Sequence, residues 1–332
     1  MSGPASLAVA LTVAAFAVSA CALDQTPTQP ASDATAAAAP ALAVANSWTT
    51  RAPMRTGRHA FGAAVLGNTS GNPVFYAIGG YTPEGGGQVV ATVEAYNFAT
   101  NTWRARAPLP IGVAHPNGVG VIGGKLYISG GVREGGDDSA FPVRYLFVYD
   151  PGRNTWSRKA DMPRAIGQGV TGVINGKLYV LGGRQLYRYD PATNRWQTSF
   201  PLSPRGHWSG AGAVINNKFY VAGGFGTGGV GRGNELDVYD PATNRWTTKA
   251  PMPTSRNFVA GTSLHGKLYV LGGGATAAVE AYDPVKNRWM RKASMPTARA
   301  QLGVAKVILN GQSHLLAMGG WEHLRVNEAY TP

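Results

Sequence analysis

The sequence predicts an all-β fold, six four-stranded blades set around an axis as a β-propeller. Six glycine pairs recur at Gly79-Gly80, Gly130-Gly131, Gly182-Gly183, Gly223-Gly224, Gly272-Gly273 and Gly319-Gly320, in steps of 41 to 52 residues. Each closes an apolar stretch such as KLYVLGG. In the middle blades a Tyr-Asp follows (Tyr149-Asp150, Tyr189-Asp190, Tyr239-Asp240, Tyr282-Asp283), with a Trp six residues beyond the Asp. The run YDPATNRW occurs twice, at Tyr189–Trp196 and Tyr239–Trp246. A period of this length marks a repeat architecture in which neighbouring units complete one another's core.

Within one unit every element reads as strand. Residues Gly169 to Gly183 hold two apolar runs around Asn175-Gly176, a dipeptide that favours a tight hairpin. A third run, Leu186–Tyr189, leads into the turn cluster Asp190-Pro191-Ala192-Thr193-Asn194, and a fourth begins at Trp196. No segment carries a 3.6-residue period, and 45 Gly with 22 Pro suit many short strands. The Gly-Gly doublet, the later Tyr and the Trp at this spacing resemble the kelch repeat, from about Asn46 to Pro332. The sixth unit departs in having Leu316 where the others have Tyr76, Tyr127, Tyr179, Tyr220 and Tyr269.

The two ends predict closure of the ring. Joined, they read EAYTP…NSWTTRAPM, matching EAYDPVKNRWMRKASM from Glu280 to Met295. The segment from Asn46 to Met54 is therefore expected to supply the outer strand of the last blade, leaving no open sheet edge between first and last blades. The Trp set (Trp48, Trp103, Trp156, Trp196, Trp246, Trp289) is expected to pack between blades.

Residues 1–20 read as an export signal. Leu7 to Ala20 is apolar or small apart from Thr12 and Ser19, and too short to span a bilayer comfortably. Val18-Ser19-Ala20-Cys21 resembles a bacterial lipobox, and Cys21 is the chain's single cysteine. Lipidation at Cys21, with residues 21–45 as a flexible tether to the propeller at 46–332, is the expectation. No Lys or Arg precedes the apolar run, and ordinary secretion after Ala20 or Ala22 is the alternative. Either places the protein outside the cytoplasm, in a bacterial cell envelope if it is anchored.

Thirty Lys and Arg against 17 Asp and Glu give a net charge of +13. Positive potential suits acidic partners, a glycan or a peptide. Part of it is periodic (Arg195, Arg245, Arg288; Lys125, Lys177, Lys218, Lys267) and points to a requirement of the blade itself. Nucleic acid is not expected of an exported chain without a clustered basic motif. A monomer is expected.

In such a blade the loop entering the first strand and the loop between the second and third open on one face. The far-face turns are near copies, whereas the loops after the glycine pairs (Tyr81–Thr92, Val132–Val143, Phe225–Asn234, and only Arg184-Gln185 in blade three) diverge, which marks the binding face. Candidate contacts are Arg58, His59, His115, Gln168, Arg184, Arg205, His207, Arg256, Asn257, Arg299, Gln301, Trp321 and Glu322. The arginines offer a planar fork to an anion or a structural bond to a loop carbonyl. His59, His115 and His207 are expected to face the channel, and Tyr81, Phe225 and Trp321 to offer stacking platforms or blade packing.

No HExxH, P-loop, GxSxG or zinc-type Cys/His spacing occurs, and no cofactor is expected. The kelch resemblance raises two enzymes. Galactose oxidase needs a cysteine within its blades, which this chain lacks. The sialic acid mutarotases (N-acetylneuraminate epimerases) need an Arg for the sugar carboxylate and an acid/base pair; Arg184 or Arg299, with Glu84, Glu134 or Glu322, are the candidates. Glu94, Glu280 and Glu328 recur in Glu-Ala-Tyr and read as structural. The leading expectation is a non-catalytic recognition module with an Arg- and His-lined mouth; the mutarotase is second and an envelope structural protein third.

Overall fold

The computed structural model describes residues 44–68, 71–82, 87–134, 140–226, 233–274, 276–322 and 324–332. Cys21, the leader and Glu84 lie outside them. Six four-stranded antiparallel sheets form the blades, as the repeat predicts. Blade one comprises Gly62–Leu66, Val74–Ile78, Val93–Asn97 and Thr102–Arg106. In blade six, Gly303–Leu309, Gln312–Met318 and Asn327–Thr331 are completed by the N-terminal strand Ser47–Thr50, in the register Ser47↔Thr331 to Thr50↔Glu328. Blade two adds a small ribbon, Val132–Glu134 with Ala140–Pro142.

The hairpins joining first and second strands explain their own sequences. Asn175-Gly176, Asn216-Asn217 and His265-Gly266 all hold two successive positive φ angles, between 48° and 70°. Such a turn matches the strand twist and favours Asn and Gly.

The recurrent residues join one blade to the next. Each Trp packs at a tilt against the Tyr opposite it in the third strand, with ring centroids 5.0–5.3 Å apart. Each also donates its Nε1–H to a carbonyl at the end of the neighbouring fourth strand, from Trp103 to Ala52 O (2.9 Å) round to Trp48 to Ala293 O (2.9 Å). An Asn held at φ 47–56° accepts the Tyr hydroxyl and, in five of the six joints, a backbone N–H from the adjacent blade. Asn46 does this for the closing strand, taking Tyr330 Oη–H at 2.8 Å and Ala293 N–H at 3.0 Å. Closure therefore reuses the ordinary joint between blades.

The glycine pairs make a second joint. Gly80 N–H donates to Val113 O at 2.9 Å, and Gly131, Gly224, Gly273 and Gly320 donate likewise to Ile166, Arg256, Arg299 and Arg58. The preceding glycine lies against the same carbonyl: a Cβ on Gly79 would sit 2.2 Å from Val113 O, at φ +65°. Only glycine tolerates both the angle and the approach. Blade three is the exception, because its Lys177–Gly182 and Gln185–Asp190 strands form a tight hairpin with Gly182↔Gln185 paired.

Candidate functional site

The loop entering each first strand places one residue in the left-handed region: Ala60, His115, Gln168, Ser209, Phe258 and Gln301, all with φ between 46° and 61°. Their amides reach the carbonyl of the preceding blade's equivalent residue. Ala60 N–H bonds Gln301 O (2.9 Å), His115 bonds Ala60 (2.7 Å), Gln168 bonds His115 (2.9 Å), Ser209 bonds Gln168 (2.8 Å) and Gln301 bonds Phe258 (3.0 Å). The sixth link slips by one residue, Val259 N–H to Ser209 O at 3.2 Å. The result is a closed main-chain collar around the axis. Left-handed backbone costs a non-glycine residue about 1–3 kcal/mol, so it persists only where its surroundings hold it; here the ring of hydrogen bonds does so. Below the collar runs a channel of about 630 Å³ walled by the first strands.

An aromatic path crosses the collar. Trp321 meets His59 edge-on at 4.9 Å, His59 stacks on Tyr81 at 5.2 Å, and Tyr81 meets His115 at 5.7 Å. His115 then faces Phe258 across the ring at 6.3 Å, and Phe258 packs on Phe225 at 5.2 Å. Trp321 is 53% and Phe225 41% exposed, so the path ends in two open platforms. Amides brace it: His59 Nδ1 lies 2.5 Å from Gln301 Oε1, and Ser209 Oγ–H donates to Gln168 Oε1 at 3.0 Å. Burial, with a smaller contribution from the nearby His59, lowers the His115 pKa to about 4, keeping that ring neutral at pH 7.

The arginines expected at the mouth are elsewhere. Arg58, Arg256 and Arg299 are 0%, 3% and 1% exposed. Each pairs with the Glu of a Glu-Ala-Tyr in its own blade: Arg58–Glu94 at 3.1 Å, Arg256–Glu280 at 2.7 Å and Arg299–Glu328 at 2.5 Å. Each also donates to backbone carbonyls, Arg256 to Gly272 O (2.6 Å) and Ala278 O (3.1 Å). Burial pulls these guanidinium pKa values down and the carboxylates oppose it. Their terminal nitrogens are engaged from within the blade, while the three buried Nε groups make no hydrogen bond among the described residues, so the arginines belong to the scaffold and not to a ligand site.

His207 is likewise buried, with Nδ1 2.8 Å from Gly223 O and Nε2 3.1 Å from Asp237 Oδ2. With Arg205, 2.9 Å from Asp237 Oδ1, it forms blade four's version of the same strut. Burial alone would raise the Asp237 carboxyl; His207, Thr248 and Arg205 outweigh it and hold the pKa below its usual value. In blades two and three the equivalent pairs are apolar, Val113 with Phe147 and Ile166 with Tyr187.

A family profile described as the KLHDC2/KLHL20/DRC7 Kelch-repeats domain matches residues 119–320, and the Kelch motif matches residues 57–110. The chain belongs to the kelch-repeat family. Kelch-like protein 34 of Homo sapiens is 32% identical over 163 residues, 47% of this chain and 24% of that protein. Kelch-like protein terF of Aspergillus terreus is 30% identical over 169 residues, 45% of this chain and 36% of that protein. The chain thus spans about a quarter to a third of the length of these relatives. A solved structure titled "Structure of YjhT" superposes with a TM-score of 0.67 at 17% identity, over 86% of this chain and 96% of that one, and shows the shared fold.

Around the collar of this kelch propeller, exposed arginines replace the buried ones as the available cations: Arg55, Arg144, Arg164, Arg184 and Arg325 lie in loops of the mouth face, and Arg133 in the small ribbon of blade two. Two are partly tethered, Arg184 through Nε to Ser203 O (2.7 Å) and Arg325 through Nε to Met54 O (2.5 Å). Glu134 accepts Val89 N–H at 2.5 Å, bracing the loop beneath Tyr81. Glu322, exposed at φ 66°, stands beside Trp321. Asn257 is half-buried next to the collar, and its carbonyl accepts Gly274 N–H at 3.1 Å. Phe258 and Ser209 complete the collar but share no residue type with their equivalents, so only the backbone conformation reveals them.

Proposed function

We propose that this kelch propeller is a recognition module that holds an anionic glycan or peptide across the aromatic path at the channel mouth. The observation that carries the reading is the unbroken series Trp321, His59, Tyr81, His115, Phe258 and Phe225, open at both ends and rooted in a hydrogen-bonded collar. Rigid aromatic platforms give large contact area at little entropic cost, and sugars or peptide side chains stack on them. The exposed arginines would add charge attraction at the periphery, where it raises association rate and selectivity more than affinity. Export and a lipid anchor at Cys21 belong to the same proposal and rest on the leader sequence.

The mutarotase alternative draws less support. Arg299 and Glu134 have structural partners, leaving Arg184 and Glu322 as its candidates among the described residues. An array of acidic glycans and acidic peptides, screened with the purified protein, tests the proposal: binding to one class at micromolar affinity or better is expected. Faster equilibration of an anomeric mixture of a bound sugar, followed by NMR, would instead establish an enzyme.

A further inference from the structure

The face opposite the mouth carries a second cationic surface with a different character. Lys125–Asp150 (2.8 Å), Lys218–Asp240 (2.6 Å) and Lys267–Asp283 (3.4 Å) tie the hairpin between strands one and two to the turn between strands three and four. Both connections therefore share one face, and these lysines are neutralised by their partners. Five exposed cations at this face, Arg153 and Lys286 in the turns and Arg195, Arg245 and Arg288 at the first position of the strands that follow, make no ion pair among the described residues.

Apolar residues protrude beside them. Val285 is 91% exposed and Val44 73% exposed. The two occupy equivalent turn positions of adjacent blades, since Asn287 and Asn46 each accept a Tyr hydroxyl and a neighbouring Ala N–H. Val44 is also where the 43 preceding residues join the propeller. Chain attachment, the two valines and two of the five cations, Lys286 and Arg288, thus lie over blades five and six, with Arg245 on the adjoining blade four; Arg195 and Arg153 stand further round the same face, on blades three and two.

We infer that this turn face docks on an anionic lipid surface, with Val285 and Val44 entering the headgroup layer and the mouth pointing away from it. Each Lys or Arg near an anionic leaflet contributes about fivefold to partitioning, and small apolar protrusions add to it. The inference concerns a surface separate from the mouth and does not require acylation of Cys21.

The test uses the full chain carrying Cys21→Ala, partitioned onto vesicles of phosphatidylcholine with and without one-third phosphatidylglycerol. Any charge-independent contribution of the apolar run Leu7 to Ala20 cancels in the ratio between the two vesicle types, so the ratio reads the cationic contribution. The ratio should favour anionic vesicles strongly at low salt and collapse at high salt. Arg245→Gln, Lys286→Gln and Arg288→Gln combined should lower it on the order of a hundredfold. The same three changes at Arg133, Arg164 and Arg184 on the mouth face should leave most of it. Because Cys21 is the only native cysteine, Val285→Cys in this background accepts a single polarity-sensitive dye, whose emission should shift to the blue on anionic vesicles. The dye at Leu202→Cys, on the mouth side, should not shift. A ratio near one, equal losses from the two triple variants, or a shift at position 202 alone would overturn the inference.

Discussion

Replacing Arg256 by Ala should destabilise the propeller by about 4–6 kcal/mol without changing what the mouth presents. The substitution strips Glu280, itself 1% exposed, of its partner at 2.7 Å. An uncompensated buried charge costs about 3–5 kcal/mol. The substitution also removes a donor from Gly272 O, worth about 1 kcal/mol, whereas Ala278 O keeps the Gly272 N–H at 2.9 Å. Blade three shows the alternative solution, Ile166 with Tyr187 at the same positions. Arg256→Ile combined with Glu280→Tyr should therefore recover most of the loss and leave a deficit of about 1 kcal/mol from Gly272 O. Arg256→Lys keeps the charge but not the fork, and should fall between wild type and Ala. Urea unfolding of the two single variants and the double variant, read as a double-mutant cycle, gives the coupling directly. If Arg256→Ala unfolds like wild type, or if the double variant is no better than the singles, the strut does not carry the stability assigned to it.

Ring closure and the collar give two further predictions. Asn46→Ala loses acceptor bonds from Tyr330 and Ala293 and a favoured left-handed residue, and should cost about 2 kcal/mol by urea unfolding; deleting Asn46–Met54 should cost several kcal/mol more. His115 has its pKa lowered to about 4 against an ordinary 6.5, so the unfolded chain takes up the proton first. Its contribution is fully present above pH 6.5 and fades as pH falls towards 4, by up to about 3 kcal/mol. His115→Gln should remove that part of the acid sensitivity, measured as unfolding free energy at pH 7 and pH 4.5.

The fold was legible because its joints demand particular residues. Gly79 and its equivalents meet a carbonyl that a Cβ would strike, Asn46 and its equivalents need positive φ, and each Trp needs a carbonyl from the next blade. These requirements recur at every interface, so they surface as a repeat. The same recurrence misled at the mouth. Arg58, Arg256 and Arg299 recur because Glu94, Glu280 and Glu328 recur with them, and where Phe147 or Tyr187 stands instead the arginine is gone. That co-occurrence was present in the sequence and identifies a buried pair. The collar column left no such trace. Ala60, His115, Gln168, Ser209, Phe258 and Gln301 have in common only a backbone angle, and their side chains meet across the axis, between blades far apart in sequence.

In the proposed recognition mode, ligand lies on the aromatic path while the buried arginines only support it. The direct test is affinity for the strongest ligand from the array, measured by calorimetry on wild type, Tyr81→Ala and Trp321→Ala, with unfolding followed on the same samples. Truncating a stacking aromatic at the centre of an interface costs about 2 kcal/mol or more, so losses of about thirtyfold are predicted, with the unfolding of Trp321→Ala unchanged. Unaltered affinity in both variants would contradict the claim, as would a loss that appears only when the protein itself is destabilised.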